Sequence, residues 1–227
     1  MPATPTEPVR QAPGLILLDL DGTLADTAPD LAHALNRALQ AYGRPALPFE
    51  QIRPVVSLGA TAMIGLGFDM AETDPGFAER RQRLLDFYQE DVAVHTRLFP
   101  GMDRVLQRIT QSGRRWGIVT NKPGWLTRPL LQALAPPGSA CCIVSGDSLP
   151  QRKPHPAPLL HACELSGSSP AEALYIGDAR GDVVAGHAAG MRVIVARYGY
   201  IPVHEDPASW GAEACIDAPL DLLAWLD

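Results

Sequence analysis

The chain has 227 residues, 46% hydrophobic and 19% charged, a globular composition with room for one large domain or for a domain with a sizeable insertion. Its formal net charge of −6 argues against a broad basic surface for nucleic acid, and its apolar runs fall far short of the roughly 18 residues of a membrane span. The four cysteines, two of them adjacent as Cys141 and Cys142, fit neither a C-x-x-C metal site nor a disulfide framework, and are expected to be core thiols in a reducing cytoplasm.

Residues 1–13 carry Pro2, Pro5, Pro8 and Pro13 with little apolar content, the pattern of a mobile tail. No signal peptide is expected, because the first apolar run stops at Asp19. That run, Leu15-Ile16-Leu17-Leu18, reads as a buried strand leading into Asp19-Leu20-Asp21-Gly22-Thr23. Asp19 falls at the strand's end, Asp21 shares its parity if the strand continues, and Gly22 permits a tight exit turn. Two carboxylates in such a place are costly without a compensating cation or proton.

Thr27-Ala28-Pro29-Asp30 has the form of a helix start: a hydroxyl cap, a proline in the first turn and an acid near the positive end of the dipole. Leu31, Leu35, Ala38, Leu39 and Tyr42 continue it at helical spacing, and Gly43 can end it. Further helices are expected at 49–56, interrupted by Pro54, at 60–67, weakened by glycines, and at 75–94. Residues 26–98 therefore read as entirely helical.

The texture changes after Phe99-Pro100-Gly101. Strands are expected at 116–120, 141–144, 173–176, 192–196 and 214–216, and helices at 102–112, 125–134, 158–165, 182–189 and 220–226. This alternation implies an α/β, Rossmann-like parallel sheet covered on both faces. The expected core comprises residues 14–25 and 99–227, with 26–98 inserted as a helical block.

In open α/β sheets, ligands bind beyond the carboxyl ends of the strands. Those ends carry Asp19 and Asp21, Thr120 and Asn121, and Gly177 and Asp178, with Lys153 in a nearby loop and Asp182 just beyond. Clustered carboxylates call for a cation, and ligation by oxygen alone suggests Mg²⁺. Phosphoryl transfer would use every part. A carboxylate attacks phosphorus, the cation lowers the repulsion between anions, Lys153 and the Thr120 hydroxyl hold the equatorial oxygens, and a second carboxylate moves protons.

Asp19-Leu20-Asp21-Gly22-Thr23 resembles the D-x-D-G-T motif of the haloacid dehalogenase superfamily. Thr120, closing an apolar strand, looks like its second motif, Lys153-Pro154-His155-Pro156-Ala157-Pro158 like its third, and Gly177-Asp178-Ala179-Arg180-Gly181-Asp182 like its fourth. The resemblance covers nearly the whole chain after the tail, and the insertion matches the family's helical cap. It implies a Mg²⁺-dependent phosphatase acting on a small phosphate ester. Asp19 would be the nucleophile and Asp21 the general acid/base. Asp19, the Asp21 carbonyl and Asp178 would hold the metal, and Thr120, Asn121 and Lys153 the phosphate. Asp182 would support the metal through water or orient Lys153. A second aspartate in the first motif favours phosphate esters, since dehalogenases of the superfamily lack it.

Val119-Thr120-Asn121-Lys122 resembles phosphoglycolate phosphatases. Arg197-Tyr198-Gly199-Tyr200-Ile201, Pro207, Trp210-Gly211-Ala212 and, in the insertion, Val55-Val56-Ser57, Gly59-Ala60 and Ala62-Met63 look like the phosphatases of N-acetylmuramic acid 6-phosphate in cell-wall recycling. A phosphosugar mutase of the same superfamily is the alternative. His33 and His95 are expected to be polar cap residues, His155 a loop residue, and Lys122 solvated or paired with nearby acids. Oligomeric state is not legible.

Overall fold

The computed structural model describes residues 12–226. Most of the expected tail lies outside them. Pro13 is buried, and its carbonyl accepts a hydrogen bond from Arg114. In chain order the elements are β1 (Leu15–Leu18), β2 (Ala25–Asp26), α1 (Ala28–Ala41), α2 (Phe49–Ile52) running into a 3₁₀ segment (Arg53–Leu58), α3 (Gly59–Phe68), α4 (Phe77–Glu90) and β3 (Arg97–Leu98). Then follow α5 (Met102–Gln111), β4 (Arg115–Val119), α6 (Gly124–Leu134), β5 (Ile143–Val144), α7 (Ala157–Ser166), β6 (Ala173–Gly177), α8 (Arg180–Ala188), β7 (Arg192–Ala196), β8 (Ala214–Ile216) and a last 3₁₀ run (Pro219–Trp225). No helix among the described residues is long and apolar enough to cross a membrane.

Six strands form one parallel sheet in the order β5-β4-β1-β6-β7-β8. β1 sits inside it, with Leu15 opposite Arg115 on one side and Ala173 on the other. Its strict alternation divides the core. Ile16 and Leu18 join Val105, Leu106, Ile109 and Trp116 on one face, whereas Leu15 and Leu17 join Leu159, Ala162 and Tyr175 on the other. All four β1 side chains are buried, as an interior parallel strand requires.

Helices α1–α4 bury a second core of their own, including Leu35, Leu39, Phe68, Leu84 and Tyr88. Phe99, Leu126 and Tyr200 from the sheet portion pack into it. The insertion departs from the all-helical expectation at both ends. β2 and β3 pair antiparallel, Ala25 opposite Leu98 and Asp26 opposite Arg97. The chain leaves and re-enters the sheet portion at neighbouring points, so these two crossings satisfy one another's backbone groups. Pro54 marks the change from α to 3₁₀ geometry, where its missing N–H removes an α-type bond. The closing segment is 3₁₀ rather than α. The Asp221 carboxylate accepts from the Asp217 and Ala218 N–H groups and tightens its first turn.

The start of α1 is capped differently from the sequence expectation. The Thr27 hydroxyl turns away and donates to Asp21 Oδ1 at 2.6 Å. The Ala28 N–H donates instead to the Tyr200 hydroxyl at 3.0 Å. Asp30 is buried, and its carboxylate accepts from the His95 and Thr96 N–H groups and the Thr96 hydroxyl at 2.7 to 3.1 Å. It thereby fastens α1 to the segment leading into β3. Asp30→Ala is expected to lower stability by roughly 2–4 kcal/mol, because it orphans two backbone donors and a buried hydroxyl. A shift in the urea midpoint at constant m-value measures this; a change under about 0.5 kcal/mol would show that the fastening contributes little.

Candidate active site

Asp19 follows β1 directly, and its N–H extends the ladder to the Ile176 carbonyl at 2.9 Å. The strand does not continue to Asp21. The chain turns instead, with Leu24 N–H bonded back to the Asp19 carbonyl at 3.2 Å and Gly22 N–H to the Ala25 carbonyl at 3.1 Å. Gly22 has φ +83°, and a Cβ there would lie 2.1 Å from Asp178 Oδ2, so only glycine fits. The turn carries Asp19 and Asp21 to one cavity of about 400 Å³, whose walls also include Thr120, Lys122, Lys153 and Asp182.

Asp19, Asp178 and Asp182 each present a carboxylate oxygen, all within 4.8 Å of one another, and all three residues are buried. Lys153 lies among them. Its ammonium is 2.9 Å from Asp19 Oδ1 and 2.7 Å from Asp182 Oδ1, and it donates to the Tyr175 hydroxyl at 2.7 Å. The Tyr175 hydroxyl donates in turn to Asp182 Oδ1 at 2.9 Å. Burial by itself lowers the Lys153 pKa, but Asp182 and Asp19 more than offset this and hold it above the ordinary lysine value. Burial, countered by Lys153 and reinforced by Asp182 and Asp178, raises Asp19 to about 8. Asp178 is raised to about 7 by burial and by Asp182, against hydrogen bonds from Ser57 and Tyr200. A cluster of oxygen ligands that resists ionisation without positive charge fits a hard divalent cation.

The Asp21 carboxylate is held apart from this group. Its Oδ1 accepts from Thr27 and, at 2.8 Å, from the buried ammonium of Lys122. Of the two fates expected for Lys122, pairing with an acid is the one realised. Its ammonium also stands 4.3 Å from the centroid of the Tyr88 ring, and the buried Tyr88 hydroxyl has no hydrogen-bond partner among the described residues.

Thr120 is buried at the end of β4, and its Oγ1 accepts from the Lys122 N–H at 3.1 Å, leaving the hydroxyl proton to donate elsewhere. Asn121 is exposed, and its side-chain amide binds the Lys153 backbone twice, Nδ2 to the carbonyl at 2.9 Å and Oδ1 from the N–H at 3.1 Å. This pairs the loop after β4 with the loop that carries Lys153. Asp182 lies in the first turn of α8, where its Oδ2 accepts from the Ala179 N–H at 3.0 Å, so a single side chain both caps the helix and holds Lys153. His155 lies exposed in the loop before α7, with Nδ1 accepting from the Ala157 N–H.

Several site residues escape a reading of the sequence. Tyr175 reads as an ordinary core residue of β6, yet its hydroxyl reaches Lys153. Ser57, from the helical insertion, donates to Asp178 Oδ2 at 2.6 Å. The loop after β7, quoted above only for its likeness, is the joint between the two parts. Tyr200 N–H donates to Asp178 Oδ2 at 2.7 Å, its hydroxyl donates to Asp26, and Arg53 lies 4.8 Å from its ring centroid. Gly199 packs so closely that a Cβ would fall 2.3 Å from that of Asp178. Cys142 and Cys163 are buried as core thiols, whereas Cys141 is exposed and Cys215 only half-buried.

A family model for haloacid dehalogenase-like hydrolases matches residues 16–196. An N-acetylmuramic acid 6-phosphate phosphatase of Pseudomonas putida is 39% identical over 212 residues, 93% of this chain and 95% of that protein. A phosphoglycolate phosphatase of Xanthomonas campestris is also 39% identical, over 216 residues, 92% of this chain and 95% of its own length. Among solved structures, a predicted phosphoglycolate phosphatase from Haemophilus somnus superposes with a TM-score of 0.86 at 28% identity, covering 96% of this chain and all of that one (100%).

The raised Asp19 and Asp178 values set a direction for stability. Between the unfolded carboxylate range and about 7 to 8, the folded protein holds protons that the unfolded chain releases. Stability therefore falls as pH rises through that window. In the presence of a chelator, the melting temperature is expected to drop from pH 5.5 to pH 8.5, and Asp19→Asn to flatten the slope. An unchanged slope in the variant would show that Asp19 is not the group responsible.

Proposed function

The chain belongs to the haloacid dehalogenase-like hydrolase family and is a phosphatase, and on that footing we propose that it is a Mg²⁺-dependent phosphomonoesterase working through an aspartyl phosphate. The observation that carries this reading is the lone ammonium of Lys153 set among three buried carboxylates, beside a turn that presents a second, separately held aspartate.

Asp19 is the nucleophile. Its Oδ1 is occupied by the Leu20 N–H at 2.7 Å and by Lys153, which leaves Oδ2 to attack phosphorus. The Oδ2–P bond forms as the ester O–P bond breaks, and Asp21 gives a proton to the departing alkoxide. Water then attacks the phosphoaspartate, Asp21 takes the water's proton, and cleavage of the Oδ2–P bond releases phosphate. The Thr120 hydroxyl and the Lys153 ammonium hold the equatorial oxygens. Asn121 contributes by fixing the Lys153 backbone. The carboxylates of Asp19 and Asp178 and the Asp21 carbonyl would hold the metal, while Asp182 stays with Lys153 and Tyr175. When bound, Mg²⁺ lowers the repulsion between nucleophile and phosphate and orients both.

Residues 26–98 act as a cap over the core of 14–25 and 99–227, excluding bulk water during reaction. A phosphorylated sugar acid such as N-acetylmuramic acid 6-phosphate is the substrate proposed, ahead of 2-phosphoglycolate. Relatives carry both names at 39% identity. The cavity of about 400 Å³, with Val56, Met63 and Leu85 in its wall, supports a body larger than two carbons. The free thiols accord with a reducing cytoplasm as its compartment.

The purified protein is expected to release inorganic phosphate from N-acetylmuramic acid 6-phosphate with Mg²⁺ and to lose this activity with a chelator. Asp19→Asn is expected to lower kcat at least about a thousandfold while remaining folded. Full activity in that variant would sink the nucleophile assignment. Equally poor rates on N-acetylmuramic acid 6-phosphate and 2-phosphoglycolate would point to another ester. An isomerised phosphosugar in place of free phosphate would indicate the mutase reading, which no feature of the site favours.

A further inference from the structure

Between residues 28 and 90 the insertion carries six arginines. Five have a defined partner. Arg37 pairs with Glu90 and Asp91, Arg44 bonds the Gly67 carbonyl, and Arg53 bonds the Tyr198 carbonyl. Arg80 stacks on Tyr42 and Phe68, and Arg83 on Phe87. Arg81 has no carboxylate, carbonyl or ring partner among the described residues, and it lines the active-site cavity.

Its position on α4 explains why. Arg81, Leu85 and Tyr88 are spaced i, i+4, i+7, so they share one helix face, and all three contribute to the cavity wall. Leu84, Leu85 and Tyr88 are buried and Arg81 is half-buried. A guanidinium at the end of a buried apolar stripe is poorly served by solvent and, here, by protein as well. The other cations of the cavity differ from it. Lys122 and Lys153 are neutralised by aspartates, and Arg152 is exposed on the sheet portion. The cavity thus has one end built of carboxylates for metal and phosphate, an apolar middle, and an unmatched positive fork on the helical side.

We propose that Arg81 reads a second anionic group, a carboxylate carried on the substrate's body away from the phosphate, and so determines specificity for phosphorylated acids. The assignment rests on the phosphatase reading above. A carboxylate matches the guanidinium fork in charge and in bidentate geometry. Its absence leaves that half-buried cation unpaired, so an analogue lacking the carboxylate binds less well in the transition state as well as in the ground state. Arg152, exposed beside Lys153, acts on any anionic ester through a solvent-screened field and does not discriminate between them.

The test compares kcat/KM within two pairs of esters that differ in the carboxylate: N-acetylmuramic acid 6-phosphate against N-acetylglucosamine 6-phosphate, and 2-phosphoglycolate against 2-hydroxyethyl phosphate. The wild-type protein is expected to favour the carboxylate member of at least one pair. In Arg81→Ala that preference is expected to fall roughly 10- to 100-fold, mostly through KM. Arg81→Lys should retain part of it and Arg152→Ala nearly all. Thermal unfolding of each variant identifies loss of fold. An equal fall on both members of a pair, an unchanged preference in Arg81→Ala, or a wild-type protein indifferent to the carboxylate would each overturn this role for Arg81 and leave the phosphatase reading intact. Absence of hydrolysis on every ester, p-nitrophenyl phosphate included, would sink both.

Discussion

Lys153 is the residue on which the rest of the site depends. Its ammonium lies within 2.9 Å of Asp19 and 2.7 Å of Asp182, in a place from which water is largely excluded. Three carboxylates gathered at the ends of β1 and β6 and the start of α8 would repel one another and hold protons still more strongly without it. With it, one positive charge is shared among several negative ones, and the remainder calls for a further cation. The surroundings exist largely to fix this lysine. Asn121 clamps its backbone, Tyr175 takes one of its donors, and Asp182 fastens it to the start of α8. Removing either partner of such a buried pair leaves an uncompensated charge, so the arrangement constrains the sheet as much as it serves chemistry.

The parallel sheet brings these groups together because its strands share one direction, so the ends of β1, β4 and β6 lie side by side. The two inner strand ends supply Asp19 and Asp178, the start of α8 supplies Asp182, and β4 leads to Thr120 and, just beyond it, Lys122. The helical insertion enters the same electrostatic system at several points, among them the Thr27 hydroxyl on Asp21. Ser57 reaches Asp178 from above, and Tyr88 covers Lys122. Tyr200 links both halves, with its backbone on Asp178 and its hydroxyl at the head of α1. Position of the insertion and polarity of the acid cluster are therefore coupled through a few short hydrogen bonds.

Much of this was legible in the sequence. β7 and β8 fall at the residues their apolar pattern marks, and most helices begin and end within two residues of expectation. Asp19, Lys153, Asp178 and Asp182 converge as their places at strand ends and loops imply. What stayed hidden depends on contacts between distant segments. Thr27 has the sequence of a helix cap, but Asp21 offers its hydroxyl a charged acceptor six residues back, and a tyrosine 172 residues after Ala28 caps the helix instead. Asp30 reads as an acid placed for the helix dipole, whereas its partners lie 65 and 66 residues away. Asn121 reads as a phosphate ligand, but its amide faces the Lys153 backbone. Tyr175 looks apolar in a strand pattern because periodicity records which face a residue takes and not where its terminal hydroxyl ends.

The short ribbon of β2 and β3 changes how the insertion should be regarded. Because Asp26 and Arg97 pair directly, residues 27–96 leave and return through one narrow neck. The entropy of closing that excursion is borne at the neck and grows only slowly with its length. To the sheet, the whole helical block is equivalent to the loop of a hairpin. A gene can lengthen, shorten or exchange such a loop while the strand order stays as it is, although loss of Ser57 or Thr27 would also remove a hydrogen bond to Asp178 or Asp21. The strand ends that carry Asp19 and Asp178 thus lie across a covalent passage two residues wide from the helical block, and only the few positions that bond between them tie the evolution of one to the other.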